Sequence, residues 1–299
     1  MCLAVWATDA RLGYRLVLAF NRDEYLDRSS LPATWHSFDQ PHGDCEILSG
    51  RDMVAGGTWL GIHRRNGKFA FLTNILPSLE TNPDPTRATS RGSLIREFLQ
   101  GSDNVNSYIA RLKANDQNMN GYNLVVGQIG EIGTDVALGY HSNRDLPSTQ
   151  TSLKPQNPYR VYGMSNGFAQ QLPEWPKVSF SKQALTNYLK SIAAHPSHES
   201  EQDLVEEEIF KLMSQYDHST TDVPSNNLCR PYHKVHSPDA KVGRHTLAAT
   251  RVQTLLLVPA SSSKVTFLER DVWKLDTTGE PVWCGDDKTK WRRFEFDLK

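Results

Sequence analysis

Cys2-Leu3-Ala4-Val5-Trp6-Ala7 and Arg15-Leu16-Val17-Leu18-Ala19-Phe20 are the two segments on which the fold turns. Each is a short apolar run of strand length, and residues 8–13 between them are rich in turn-forming types, so residues 2–20 read as a buried hairpin. The second run ends abruptly in Asn21-Arg22-Asp23-Glu24, which sets one amide, one guanidinium and two carboxylates at a strand end. A polar stretch then continues to about residue 46.

Further along, residues 58–63 and 68–74 read as a strand pair joined at Arg65-Asn66-Gly67, an Asn-Gly hairpin turn. Residues 77–89, rich in Pro and Thr, read as a loop. Short helical patterns fall at 93–99 and 105–112, and strands at 122–128, 136–140 and 160–165. Leu185, Tyr188, Leu189 and Ile192 share one helical face, as do Val205, Ile209, Leu212 and Met213. Residues 215–245 read as a long surface loop, and 251–258, 264–270 and 292–298 as three terminal strands. Strands dominate both ends and helices the middle, without βαβ alternation. This pattern predicts a single α+β domain over residues 1–299 with mostly antiparallel sheets, and fits a layered αββα sandwich equally well.

The 33 basic and 34 acidic residues leave a net charge of −1, which argues against electrostatic capture by nucleic acid or an anionic membrane. No run approaches the ~20 apolar residues of a membrane span. The N-terminus lacks the cationic flank of a signal peptide, and Asp9 and Arg11 follow its apolar run closely. Cys2, Cys45, Cys229 and Cys284 lie far apart with no CxxC pair, so they read as reduced thiols in a cytosol-like compartment rather than a zinc site.

Several segments carry chemistry-bearing side chains. If Met1 is removed, Cys2 bears a free α-amine with a pKa near ~7.7–8.0, able to accept the proton of its own thiol. A small apolar residue at the head of a strand is the plainer reading of the same cysteine. The 21–24 cluster could set a carboxylate against an amine and a guanidinium against a substrate oxygen, or form a salt-bridged strand end. Gly56-Gly57-Thr58-Trp59-Leu60-Gly61-Ile62 reads as close packing and lacks a phosphate-loop ending. Asn74, Asn123 and Asn166 close strands, where a side-chain amide can donate to an oxyanion or cap a turn. Arg251 could clamp a carboxylate, hold a thiolate or simply decorate a strand edge. Cys2, His63, Met164 and His245 are soft or imidazole side chains of the type that ligates haem, with no spacing that singles one out.

Met1-Cys2, Asn21-Arg22-Asp23-Glu24, Gly57-Thr58-Trp59-Leu60-Gly61, Leu72-Thr73-Asn74, Asn120-Gly121-Tyr122-Asn123-Leu124, Tyr162-Gly163-Met164-Ser165-Asn166, Thr250-Arg251 and Val265-Thr266-Phe267-Leu268-Glu269-Arg270 occur in one order along the chain. As an ordered set, from residue 2 to about 298, they resemble the NRDE family. The resemblance implies an N-terminal-nucleophile-hydrolase fold, a four-layer αββα sandwich, similar at its ends to the bile-salt-hydrolase and penicillin-V-acylase branch. By motif it implies Cys2 as nucleophile and its amine as base, Asp23 orienting that amine, Asn74 and Asn166 lining an oxyanion site, and Arg251 steadying the thiolate. The acylase branch has an arginine three residues before its aspartate. Phe20 stands at that place here, with Arg22 as the neighbouring substitute. Family association implies, as the first expectation of function, an intracellular role in haem or lipid handling, Golgi organisation and secretion, with cleavage of an amide or thioester bond by Cys2 as the alternative. The expected ligand is haem or an acyl, lipid-like molecule, with no cofactor required, and the expected location is cytoplasmic with mitochondrial or Golgi association. A scaffold acting through protein partners at 215–245 is a third reading.

Overall fold

Gly13 has φ 84°, a left-handed conformation that only glycine adopts without strain, and it turns the chain between β1 (Leu3–Ala7) and β2 (Tyr14–Tyr25). The computed structural model describes residues 2–38, 45–76, 90–115, 119–144, 159–168, 174–194, 202–219, 225–233 and 247–298. They group into two compact units interleaved in sequence: Met1–Asp27, Lys154–Ser165 and Gln171–Glu295 form the first, and Arg28–Leu153, Asn166–Gln170 and Phe296–Lys299 the second.

After the opening hairpin the chain builds the second unit. Its sheet runs β3-β4-β5-β6-β7-β8. The strands are β3 (Ser30–His36), β4 (Ile47–Asp52), β5 (Leu60–His63), β6 (Lys68–Asn74), β7 (Tyr122–Gln128) and β8 (Ala137–Ser142), with α1 (Gly92–Gln100) and α2 (Val105–Asn115) between β6 and β7. Every pairing in this sheet is antiparallel. Alternate residues of the central strands, Ala70, Leu72, Leu124 and Val126, pack on Leu94, Ile95 and Phe98 of α1 and Tyr108 of α2. The glycine-rich passage serves this packing: a Cβ on Gly57 would lie 2.5 Å from the Gly92 carbonyl carbon, where α1 begins. Trp59 is buried beside it.

The rest of the first unit comprises β9 (Val161–Met164), α3 (Pro176–Ala194), α4 (Gln202–Met213), β10 (Tyr232–His233), β11 (Leu247–Pro259), β12 (Lys264–Asp271), β13 (Trp273–Leu275), β14 (Pro281–Trp283) and β15 (Arg292–Asp297). Its sheet is ordered β15-β12-β11-β2-β1-β9, with β10 on β11 and with β13 and β14 as a separate hairpin. Leu3, Val5, Ala7, Val17 and Ala19 face Val178, Leu185 and Leu189 of α3 and Ile209 of α4. The α+β class with antiparallel sheets therefore holds, as the pattern predicts.

Some elements differ from the sequence reading, for physical reasons. β2 continues to Tyr25, so the polar tetrad 21–24 lies within a strand rather than beyond its end. β3 lies in the stretch read as polar coil; Pro32 is accommodated because β3 is the sheet edge, where a missing N–H is harmless. α3 starts at Pro176, well before its predicted apolar face, because Lys177, Ser181 and Lys182 are buried and hide the periodicity. Within the loop predicted at 215–245, residues 225–233 are described and carry β10. The loop at 77–89 lies outside the described residues.

Asn21 continues the helix-facing row of Val17 and Ala19, where an apolar residue would be expected. Its Nδ2 donates to the carbonyls of Met213 and Asn227, each at 2.8 Å, and Asn227 in turn donates to Leu212 at 2.8 Å. The last carbonyls of a helix have no partner within it, so this pair of amides closes the end of α4. Asn21→Ala leaves two buried carbonyls unpaired, and the expected loss is about 2 kcal/mol or more in urea unfolding. A variant as stable as the parent would contradict this role.

Candidate active site

The strand register sets Cys2 in place. Leu3 pairs with Asn21, and one further step of an antiparallel ladder sets Cys2 beside Arg22. Cys2 is buried, and its sulfur receives the Asp23 backbone N–H at 3.4 Å while the thiol faces the Asp23 carbonyl at 3.7 Å. The hydroxyl of Ser165, just past β9, donates to the Cys2 carbonyl at 2.6 Å. Two neighbouring segments thus hold one residue. Burial first, and then the Asp23 carboxylate, push the Cys2 thiol up to about 11, because both oppose a thiolate.

On its other side β2 pairs with β11. Asp23 faces Thr250 and Arg22 faces Val252, so the register shifts at Arg251. Such a bulge bends the strand and re-aims the side chains around it. Thr250 Oγ1 donates to Asp23 Oδ1 at 2.6 Å and receives the Cys229 N–H at 2.8 Å, while the Thr250 N–H returns to the Cys229 carbonyl at 2.9 Å. Arg251 Nη1 donates to the Tyr25 carbonyl at 3.1 Å. Burial, helped by nearby Arg22, lowers Arg251 to about 10. Burial also lowers Arg22, against the pull of Glu269 and Glu24. Phe20 pairs with Ala4 and Thr254 and is buried in the sheet. Arg22, two residues on, points to the same side as Phe20 and stands next to Cys2.

Four of the predicted site residues, Cys2, Arg22, Asp23 and Arg251, therefore gather at one end of the first unit's sheet. Arg251 is tied to this end of the sheet by its bond to the Tyr25 carbonyl. Asn74 and Asn166 belong to the second unit. There Asn166 Nδ2 donates to the Asn74 carbonyl at 2.5 Å, and the Leu76 N–H donates to the Asn166 carbonyl at 3.0 Å. Asn166 Oδ1 is buried without a hydrogen-bond partner among the described residues. Asn123 is committed to structure: it donates to the Gly167 carbonyl at 2.8 Å and accepts from Tyr140 at 3.0 Å. Thr250 and Ser165 stand in the ordered motifs without a role read for them, and Cys229 was read only as a reduced thiol. Their contribution is a register slip and four hydrogen bonds at strand ends, for which the sequence offers no periodic signal.

Among the soft side chains, Met164 is buried in β9 and His63 closes β5 in the second unit, where its Nδ1 receives the Arg65 N–H at 3.3 Å. His245 lies outside the described residues. Among the described residues no group of three His, Cys, Asp or Glu could hold a metal, and no helix is long and apolar enough to cross a membrane.

Two antiparallel sheets, each packed against helices, define an α+β protein, and Cys2 with the Asp23 carboxylate fixed beside it lies at the head of a buried strand of one of them. The family model for Transport and Golgi organisation 2 matches residues 1–274. The mouse Transport and Golgi organization 2 homolog is 31% identical over 288 residues, covering 93% of this chain and 95% of that protein. The fruit-fly Transport and Golgi organization protein 2 is 28% identical over 295 residues, covering 94% and 95%. The chain belongs to the Transport and Golgi organisation 2 family. Among solved structures it is similar to the Caenorhabditis elegans N-acylethanolamine-hydrolyzing acid amidase ortholog, with a TM-score of 0.47 and 10% identity over 87% of this chain and 93% of that one.

A thiol raised to about 11 stays protonated at neutral pH. With Met1 still attached, Cys2 alkylation should therefore be slow at pH 7–8 and rise only toward pH 11. Protein made while methionine removal is inhibited, treated with iodoacetamide and mapped by peptide mass, checks this. Fast alkylation at pH 7 would contradict it.

Proposed function

We propose that this protein is a cysteine hydrolase of acyl amide or thioester bonds, with Cys2 as nucleophile once Met1 is removed. The observation that supports it is the fixed geometry at the head of β1, where Cys2 Sγ meets the Asp23 N–H and the Asp23 carboxylate is held by Thr250. In this reading the exposed α-amine of Cys2 takes the thiol proton, and the sulfur bonds to the acyl carbon. The proton then passes to the leaving amine or thiol as its bond to the acyl carbon breaks. Water, giving its proton to the same amine, attacks the thioester and releases the acid, and the proton returns to sulfur. The amine suits both directions of transfer because its pKa of ~7.7–8.0 lies near neutrality. Asp23 orients it, and Arg22, beside Cys2, takes the place of the arginine that Phe20 displaces. Arg251 is proposed as a support of the thiolate.

A second reading, intracellular handling of haem or a lipid-like acyl ligand without turnover, draws on the raised thiol. In a chain that keeps Met1, Cys2 is a neutral thiol, suited to binding rather than attack. A neutral thiol is also a poor haem ligand, since the thiolate is the ligating form, so the acyl ligand is the better fit of the two. The relatives are named for transport and Golgi organization, and acyl-lipid turnover or delivery in the cytoplasm, at the Golgi or at mitochondria is a chemistry that could serve such a role.

The test uses protein whose intact mass shows Met1 removed, offered long-chain acyl amides and acyl thioesters. The expected result is turnover that falls by at least ~10³-fold in Cys2→Ala. Equal rates in parent and Cys2→Ala would overturn the hydrolase reading. Saturable acyl binding without turnover in both would favour the carrier.

A further inference from the structure

We propose that Thr250 is a positioning residue for Asp23, and that the pair Thr250–Cys229 forms a rigid brace which aims that carboxylate at the α-amine of Cys2. The inference rests on the hydrolase reading and goes past the residues which resemblance supplies. Its argument is one of hydrogen-bond polarity. The Cys229 backbone N–H can only donate, so at 2.8 Å the Thr250 hydroxyl must accept from it. The one hydroxyl proton is then available for Asp23 Oδ1, and the 2.6 Å separation shows where it goes. The Thr250 N–H is in turn tied to the Cys229 carbonyl at 2.9 Å, so Thr250 is held by Cys229 through both its main chain and its side chain.

The brace is built on secondary structure rather than on a loose loop. β11 lies between β2 on one side and β10 on the other, with Ala248 pairing both Tyr25 and Tyr232. Cys229 precedes β10 and bonds to Thr250 one residue off the register in which Tyr232 pairs with Ala248. The bulge at Arg251 is what permits Thr250 to face Asp23 while Val252 faces Arg22. Thr250 is fully buried and Cys229 nearly so, so water competes poorly for these bonds. β-branching adds to the effect: threonine has few χ1 rotamers on a strand, so the hydroxyl is pre-aimed. A carboxylate oxygen accepts more than one hydrogen bond, so Thr250 can orient Asp23 without preventing it from meeting the amine.

The experiment compares processed parent, Thr250→Val and Thr250→Ser by two readouts. One is the pH profile of Cys2 alkylation by iodoacetamide, localised by peptide mass; the other is kcat and KM on an acyl thioester. Thr250→Val should slow Cys2 alkylation at pH 7.5 by about tenfold, one pK unit's worth. It should lower kcat by ~10–100-fold with KM within about twofold, as expected for lost orientation. Thr250→Ser, which keeps the hydroxyl, should restore both to within about threefold. If Thr250→Val does not fold, Thr250→Ala is used. In an Asp23→Asn background the change at Thr250 should then add no further loss. An alkylation profile unchanged in Thr250→Val, a folded Thr250→Ser that behaves like Thr250→Val, or additive losses with Asp23→Asn would overturn the proposal. Alkylation does not need turnover, so it decides on Thr250 even if parent and Cys2→Ala prove equally inactive, which would sink only the hydrolase reading.

Discussion

The antiparallel ladder between β1 and β2 holds the first unit together and places its chemistry with the same hydrogen bonds. Leu3 to Ala7 pair with Asn21 to Val17, and alternate side chains of both strands fill the core under α3 and α4. Because side chains alternate along a strand, burying Leu3, Val5 and Ala7 on the helical side commits Cys2 to the opposite face, beside Arg22. Both faces of the two strands are buried, with Ala4, Trp6, Leu18 and Phe20 on the side of Cys2, so a one-residue slip would exchange two unlike packed rows, and the core itself fixes where the cysteine stands. The position of Cys2 is thus enforced by packing of residues that have no part in any reaction.

The polar tetrad of β2 divides its labour along the same logic. Asn21, facing the helices, closes the end of α4. Arg22, facing the other way, is buried next to Cys2 and balanced by Glu269 and Glu24. Asp23 contributes its backbone to the thiol and its carboxylate to Thr250. A motif that reads in sequence as one cluster of catalytic types holds, in the fold, one structural amide at Asn21 and, at the next two positions, Arg22 and Asp23 beside Cys2. Phe20 fits the same account: its buried place among Ala4 and Thr254 is a packing position, and Arg22 follows one same-face step later.

Legibility in the sequence followed how local each signal is. β6 and β7 were readable to the residue, since their apolar runs end at clear turn residues. The opening hairpin was readable for the same reason, although the polar residues 21–24 disguised the continuation of β2. α3 lost its first two turns because Lys177, Ser181 and Lys182 are buried, against the usual pattern. Cys2, Arg22, Asp23 and Arg251 could be named in advance as an ordered set of motifs. Cys229 could not, and Thr250, though part of that set, showed no sign of its bond to Asp23, because both roles come from a bulge and a pairing between segments about twenty residues apart in sequence. The second task of Asn123, clamping Gly167, is equally invisible until the two segments are seen side by side.

The account stands on Cys2 as a nucleophile, and the most direct measurement is to trap it. Processed protein mixed with a long-chain acyl thioester, quenched in acid within a second and digested, should yield the N-terminal peptide carrying one acyl group on Cys2, with the adduct decaying as acid accumulates. An acyl group recovered only on another cysteine, or acyl ligand recovered intact with Cys2 unmodified, would contradict it.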